Sequence, residues 1–115
     1  MSNEQNEVVK QLSGMLQFQA GSVVSRVLLK NKGGTVTLFA FSKNEGLSEH
    51  TAPFDALVQV IEGEAEIGIA PAGEPGSALE KFQVRAGEVI TLPANRAHAV
   101  TATTDFKMLL TMIRA

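Results

Sequence analysis

The sequence predicts an all-β domain of the jelly-roll or small-barrel type, preceded by one short helix. After Gly14 the chain consists of short runs rich in Val, Ile, Thr, Leu and Phe, and turn residues separate them. Eight such runs suit a jelly roll or a small barrel. The 115 residues can bury one continuous core but not two, so a single domain over residues 1–115 is expected.

The predicted strands share β-branched or aromatic content and clear turn boundaries. They cover residues 23–29, 35–41, 56–61, 65–69, 79–84, 88–92, 97–103 and 106–113, within a β region of 18–113. Short glycine- or proline-containing links at 32–34, 62–64, 85–87 and 93–95 predict antiparallel pairing. The segment 71–77 is the one long Gly/Pro-rich link and is expected to be a surface loop.

The N-terminal residues predict a short helix over 3–12. Ser2 and Gln5 have the spacing of a capping box. Apolar residues then recur at helical spacing, at Val8, Val9, Leu12, Met15 and Leu16.

Charge and composition exclude several classes of partner. Ten Lys and Arg against twelve Asp and Glu give a net charge of −2 without a run of like charges, which argues against nucleic acid. The absence of cysteine excludes disulfides and thiolate ligands, and it fits the cytoplasm. The polar, acidic start does not resemble a signal peptide, and the longest apolar runs are too short to span a membrane, so no membrane partner is expected.

The stretch GLSEHTAPFDALVQVIEG, residues 46–63, resembles the first motif of the cupins, G(X)5HXH(X)3-4E(X)6G. When Gly63 is taken as the closing glycine, His50 occupies the position of the first motif histidine. Ala52 then replaces the second histidine and Ala56 the glutamate. The opening glycine falls at Asn44.

The stretch GEVITLPANRAHAV, beginning at Gly87, resembles the second motif, G(X)5PXG(X)2H(X)3N. Gly87, Pro93 and His98 are in their places, whereas Asn95 replaces a glycine and Ala102 the final asparagine. The two motifs are 23 residues apart, a usual cupin spacing. The EHTAPFDA segment and the FKMLLTMI ending are also similar to small single-domain bacterial cupins of unassigned function. The resemblance implies the cupin fold, a double-stranded β-helix or jelly-roll barrel of the RmlC-like kind.

Strand periodicity extends this resemblance to the barrel interior. The motif glutamate of cupins points inward, so Ala56, Val58 and Val60 are expected to face the interior and Gln59 to face outward. On the last strand, Lys107 and Thr111 mark the outer face. The residues expected to fill the barrel from that strand are Phe106, Met108, Leu110 and Met112. The expected interior is an apolar pocket.

His50 and His98 are the two histidines of the chain, and the resemblance places both on ligand positions of a metal site. Imidazole suits divalent Zn, Ni, Cu and Fe, but a tight site needs three or four protein ligands, and two of the four are alanine here. Two interpretations stay open. The histidines bond to each other, to water or to a ligand, or they hold a divalent transition metal weakly.

Other polar and aromatic residues are weaker candidates for the site. Asp55 has the wrong strand parity to replace the glutamate unless a bulge intervenes. Glu49 and Glu62 are expected to be solvated. Residues interpreted as walls or anchors of a ligand pocket are Phe41, Phe54, Arg96 and Met108, with core packing as the alternative for the apolar ones and solvent exposure for the arginine.

Three functions are compatible with these residues. The first is a small-molecule-binding protein with an apolar pocket and a two-histidine polar centre. The second is a metal-dependent isomerase or oxygenase with a reduced His-His site. The third is a structural or interaction module with a vestigial pocket. Strands with apolar residues on both faces, among them Leu57 and Leu109, also predict a homodimer in which residues 23–29 contribute to the contact.

Overall fold

The computed structural model describes residues 9–73 and 78–114. These residues form nine strands and one 3-10 turn. The turn is Leu12–Gly14, and the strands are β1 Val23–Asn31, β2 Gly34–Phe41, β3 Gly46–His50, β4 Asp55–Glu62, β5 Glu64–Ile69, β6 Glu80–Arg85, β7 Val89–Leu92, β8 His98–Ala102 and β9 Phe106–Ile113. In the described part of the chain, no helix is long and apolar enough to cross a membrane.

The strands form two antiparallel sheets whose inner faces enclose one core. The larger sheet has the order β1-β2-β9-β4-β7, and the smaller has the order β3-β8-β5-β6. Among the described pairs, only β1 with β2 and β5 with β6 join consecutive strands, and the others, such as β2 with β9 and β3 with β8, join strands distant in sequence. This double-sheet arrangement confirms the predicted all-β jelly roll.

The core lies between the sheets, on the faces that strand parity predicted. Val58 and Val60 on β4 are fully buried, whereas Gln59 between them is exposed. Ile67 on the smaller sheet is fully buried as well. The rings of Phe41 and Phe106 stack in the same core with their centroids 4.5 Å apart. The apolar alternation of the sequence therefore corresponds directly to burial.

Two elements differ from the sequence prediction. Strand β3 was not predicted, because GLSEH is short and mostly polar. Residues 3–8 of the predicted helix lie outside the described residues, and residues 9–11 are not helical. The observed element is the 3-10 turn Leu12–Gly14, whose residues are not buried. Short helices depend on burial of an apolar face, and this turn has none to bury.

The outer face of the larger sheet is partly covered by the segment before β1. Lys107 lies on that face, as predicted, but its exposed fraction is only 5%. Its Nζ donates to the Ser13 carbonyl at 2.6 Å, lies 3.4 Å from Glu62 Oε1 and sits 4.8 Å from the centre of the Phe18 ring. Glu62 is thus an ion-pair partner of Lys107, and its side chain remains 44% exposed, in line with its expected solvation. Arg26 also donates to this segment, at the Met15 carbonyl.

Candidate functional site: an apolar cavity with two histidines

A cavity of about 430 Å³ opens between the two sheets. Six strands and the link before β4 contribute to its wall, and apolar side chains dominate. The lining residues are Phe39, Leu47, Ser48, His50, Ala52, Phe54, Ala56, Leu92, His98, Val100, Met108, Leu110 and Met112. The wall contains no aspartate, glutamate, lysine or arginine among the described residues, so its polar chemistry comes mainly from the two imidazoles.

The pairing of β3 with β8 brings the two histidines together. His50 and His98 are directly opposite each other in this antiparallel pair, so both side chains project from the same face. Their ring centroids are 4.3 Å apart, and the planes meet edge to face at 73°. His98 is 8% exposed, whereas His50 is exposed. One imidazole therefore lies deeper in the cavity and the other nearer to its mouth.

Backbone hydrogen bonds fix the tautomer that each ring adopts in its neutral form. His50 Nδ1 lies 2.7 Å from the Ser48 carbonyl, and His98 Nδ1 lies 3.2 Å from the Arg96 carbonyl. A carbonyl oxygen only accepts, so each Nδ1 carries the proton and donates. Each Nε2 consequently keeps a free lone pair.

The Nε2 of His98 is unpaired among the described residues and retains some solvent-accessible surface. In the described part of the chain, every side-chain nitrogen or oxygen that is sealed from solvent has a hydrogen-bond partner. An unpaired Nε2 is therefore not sealed from solvent. Because His98 lines the cavity, this atom is accessible from it. The site therefore presents acceptor nitrogens within an apolar wall.

Burial keeps His98 neutral. Desolvation lowers the pKa of His98 below 6.5, the nearby His50 lowers it further, and the hydrogen bond to the Arg96 carbonyl opposes both effects. At neutral pH the ring is therefore an acceptor at Nε2 rather than a cation.

The lowered pKa predicts that acid destabilises the fold through His98. Well above pH 6.5 the ring is neutral in both the folded and the unfolded state, so the lowered pKa costs no stability there. As the pH falls from 6.5 towards the lower folded pKa, the unfolded chain binds the proton first and the free energy of unfolding decreases. Urea denaturation between about pH 7 and 5 should show a steeper loss for the native protein than for His98→Leu. A His98 resonance titrating above 6.5 would contradict the expectation.

Two loops at the cavity are tied together by hydrogen bonds. The amide of Ala94 donates to Asp55 Oδ1 at 2.9 Å, and the amide of Asn95 donates to the Ala52 carbonyl at 2.8 Å. Asp55 therefore holds the loop after β7 and does not line the cavity. The pairing of β4 with β9 is regular at Asp55 and Ala56, so the bulge that would have turned Asp55 inward is absent. Its role is to position the loop that leads to His98.

The structure separates the other predicted site residues into two groups. Phe54 and Met108 line the cavity together with both histidines. Phe41 does not line it, because its ring is fully buried in the core against Phe106. Arg96 does not line it either, since its Nε donates to the Ala70 carbonyl at 2.8 Å.

The residues present do not form the donor set of a tight metal site. Ala52 and Ala56, which the resemblance places at the other two ligand positions, both line the cavity with methyl groups. Nowhere in residues 9–73 and 78–114 do three or more His, Cys, Asp or Glu side chains come together. Two neutral nitrogens are fewer than the three or four protein ligands that such sites use.

Two departures from the cupin motifs preserve the local backbone. Asn44 and Asn95, which stand where the motifs have glycine, adopt φ values of 74° and 65°. Positive φ is the region that glycine favours, and asparagine is among the few other residues that tolerate it. This agreement supports the motif alignment at both loops.

Some cavity residues were not identified from the sequence. Leu47 and Ser48 lie on the unpredicted strand β3, and Phe39 lies on the inward face of β2. The alignment of His50 with a metal-ligand position could have indicated strand β3, because a side chain that points into the barrel must come from a strand of the barrel wall.

Comparison with known proteins gives structural neighbours only: no family model matches the sequence, and no curated protein matches it significantly. A conserved protein of unknown function from Streptococcus pyogenes is 29% identical, with a TM-score of 0.82 over 93% of this chain and 87% of its own. A cupin superfamily protein from Desulfitobacterium hafniense is 25% identical, with a TM-score of 0.80 over 90% of this chain and 88% of its own.

A third neighbour, a cupin 2 conserved barrel domain protein from Leptotrichia buccalis, is 37% identical, with a TM-score of 0.78 over 89% of this chain. The match covers 46% of that longer protein. The double-sheet barrel and these neighbours together show that the chain has the jelly-roll fold of the cupins.

Proposed function

We propose that this protein binds a small, mostly apolar molecule inside the barrel and that His50 and His98 orient it. The observation that carries this proposal is the cavity of about 430 Å³ with an apolar wall and two convergent imidazoles. Pockets for small molecules combine a largely apolar lining with a few placed polar groups. We propose the cytoplasm as its compartment, because a chain without cysteine fits a reducing environment.

A non-enzymatic role is better supported than metal-assisted catalysis. The imidazoles supply two ligands, and methyl groups stand at the positions where the resemblance implies two more. The described cavity wall also contains no carboxylate that could serve as a general base. Binding and orienting a ligand needs only the groups that the described cavity wall contains. Metal-assisted isomerase or oxygenase chemistry would need additional metal ligands or a general base.

The proposal predicts saturable binding of 2-methylnaphthalene, an uncharged apolar molecule. Its fluorescence can be followed directly because the chain contains no tryptophan or tyrosine. Ala56→Phe places a ring into the cavity and should weaken binding about tenfold, which corresponds to about 1.4 kcal/mol. Gln59→Phe adds the same ring on the outward face of β4 and should leave affinity unchanged. The proposal fails if the native protein binds neither 2-methylnaphthalene nor its hydroxyl analogue 2-naphthol, or if both variants weaken binding equally.

We further propose a homodimer formed through the outer face of the larger sheet. Apolar side chains remain exposed there at one end: Leu29 is 62% exposed, Leu57 41%, Val89 56% and Ile113 58%. Leu29 and Leu57 lie in one register row across the sheet. Monomers seldom expose large contiguous apolar patches, and twofold dimers are the commonest homo-oligomers.

The dimer predicts a mass near twice 12.2 kDa in light scattering at micromolar concentration. Leu29→Glu combined with Leu57→Glu should shift the protein to the single-chain mass, because two charges would be buried without partners. Phe82→Glu changes an exposed apolar residue on the smaller sheet and should leave the dimer intact. A single-chain mass for the native protein would exclude the dimer.

A further inference from the structure

We infer that the cavity selects an uncharged ligand that donates a hydrogen bond, such as a phenol or an alcohol on an apolar ring system. This inference rests on the proposed small-molecule binding and adds the chemical class of the molecule. It follows from three properties of the site: the direction of its hydrogen bonds, the absence of charge on its wall and its volume.

The first property is that the imidazoles offer acceptors. Both Nδ1–H groups are consumed by backbone carbonyls, at Ser48 for His50 and at Arg96 for His98. The remaining ring nitrogens therefore accept and do not donate while the rings are neutral. A ligand carbonyl or ether would face a lone pair, whereas an O–H or N–H would find a partner.

The second property is that the wall offers no compensation for a ligand charge. Two charged groups near the site are held elsewhere, because Asp55 accepts from the Ala94 amide and Arg96 donates to the Ala70 carbonyl. Glu49, beside His50, is exposed and does not line the cavity. An ion moved into an apolar cavity loses hydration that is recovered only by a paired charge. One cation does lie close: the guanidinium of Arg114 is 5.3 Å from the centre of the Phe54 ring, which lines the cavity. An anionic ligand must therefore be tested directly.

The third property is the cavity volume of about 430 Å³. An apolar cavity of roughly 150 Å³ is enough to bind benzene. The cavity here can therefore accept a two-ring molecule with one polar substituent, which suits a naphthalene derivative as a test compound.

The test compares 2-naphthol with 2-methylnaphthalene, in which a methyl group replaces the hydroxyl. Binding is followed by fluorescence at about pH 8, where His98, whose pKa is lowered by burial, is neutral. In a purely apolar cavity the methyl compound would bind more tightly, because the hydroxyl would lose its hydrogen bonds to water. With an imidazole acceptor we expect 2-naphthol to bind about threefold to tenfold more tightly than 2-methylnaphthalene.

Variants of the histidines connect this preference to the site. His98→Leu combined with His50→Leu should reverse the order of the two affinities, and circular dichroism melting checks that the variant is folded. His50→Ala alone should reduce the preference for 2-naphthol without a large loss of thermal stability, because His50 is exposed. A preference that persists in the double variant would overturn the inference.

The remaining compounds separate failure of the inference from failure of the proposed function. Binding of 2-methylnaphthalene as tightly as 2-naphthol would overturn the inference while the binding function stands. Naphthalene-2-carboxylate or 2-naphthylmethylammonium binding as tightly as 2-naphthol would overturn the exclusion of charge. If none of the four compounds binds, the proposed function and the inference both fall.

Discussion

Phe41→Ala is expected to lower the free energy of unfolding by about 3–5 kcal/mol, the range typical of a buried phenylalanine. The Phe41 side chain is fully buried, and its ring stacks on Phe106 at 4.5 Å and on Phe39 at 5.8 Å. Its removal leaves a cavity that the surrounding strands close only partly, and it also removes two aromatic contacts. Urea denaturation followed by circular dichroism measures the loss.

Phe54→Ala is the matched control, because Phe54 is only partly buried and lines the ligand cavity. It should lose less than about half as much stability but weaken the binding of 2-methylnaphthalene. The two variants thus separate a core phenylalanine from a cavity phenylalanine. If Phe41→Ala retains native stability and loses ligand binding instead, Phe41 belongs to the site and its assignment to the core is wrong.

Phe41 illustrates what strand periodicity can predict and what it cannot. Parity places Phe39 and Phe41 on the same inward face of β2, and both do face inward. Their depth along the barrel decides which one meets the cavity, and periodicity carries no information on depth. The cavity lies at the level of Phe39, so Phe41 is left within the packed core.

Lys107 and Arg96 show the same limit for charged residues. Parity put Lys107 on the outer face correctly, but its burial depends on the Ser13 carbonyl, 94 residues away in sequence. Arg96 lies two residues before His98, yet it precedes β8 and its guanidinium turns to the Ala70 carbonyl. Local sequence rules cannot anticipate contacts made by distant segments.

The histidine pair could be predicted because two independent patterns located it. Each motif placed one histidine, and the pairing of β3 with β8 sets them opposite each other. The fixed tautomers could not be predicted, since they depend on the backbone carbonyls of Ser48 and Arg96. The proposed chemistry of the site depends on those carbonyls as much as on the histidines.

Ala52→His combined with Ala56→Glu is expected to raise the affinity for Ni²⁺ or Zn²⁺ at least about hundredfold, at roughly tenfold for each added ligand. Both alanines line the cavity that holds His50 and His98, so the new side chains can approach the free Nε2 atoms. Without metal, the buried glutamate should destabilise the fold, because an unpaired carboxylate loses its hydration. With metal, the melting temperature should rise as binding favours the folded state.

Ala52→His combined with Gln59→Glu is the matched control for this double variant. It carries the same added groups, but residue 59 faces outward on β4 and its carboxylate cannot reach the cavity. Isothermal titration of protein without a histidine tag should therefore show strong binding only for the Ala56→Glu combination. Equal affinities for the two variants would mean that Ala56 does not occupy the position of the motif glutamate, and the assignment of ligand positions to Ala52 and Ala56 would be wrong.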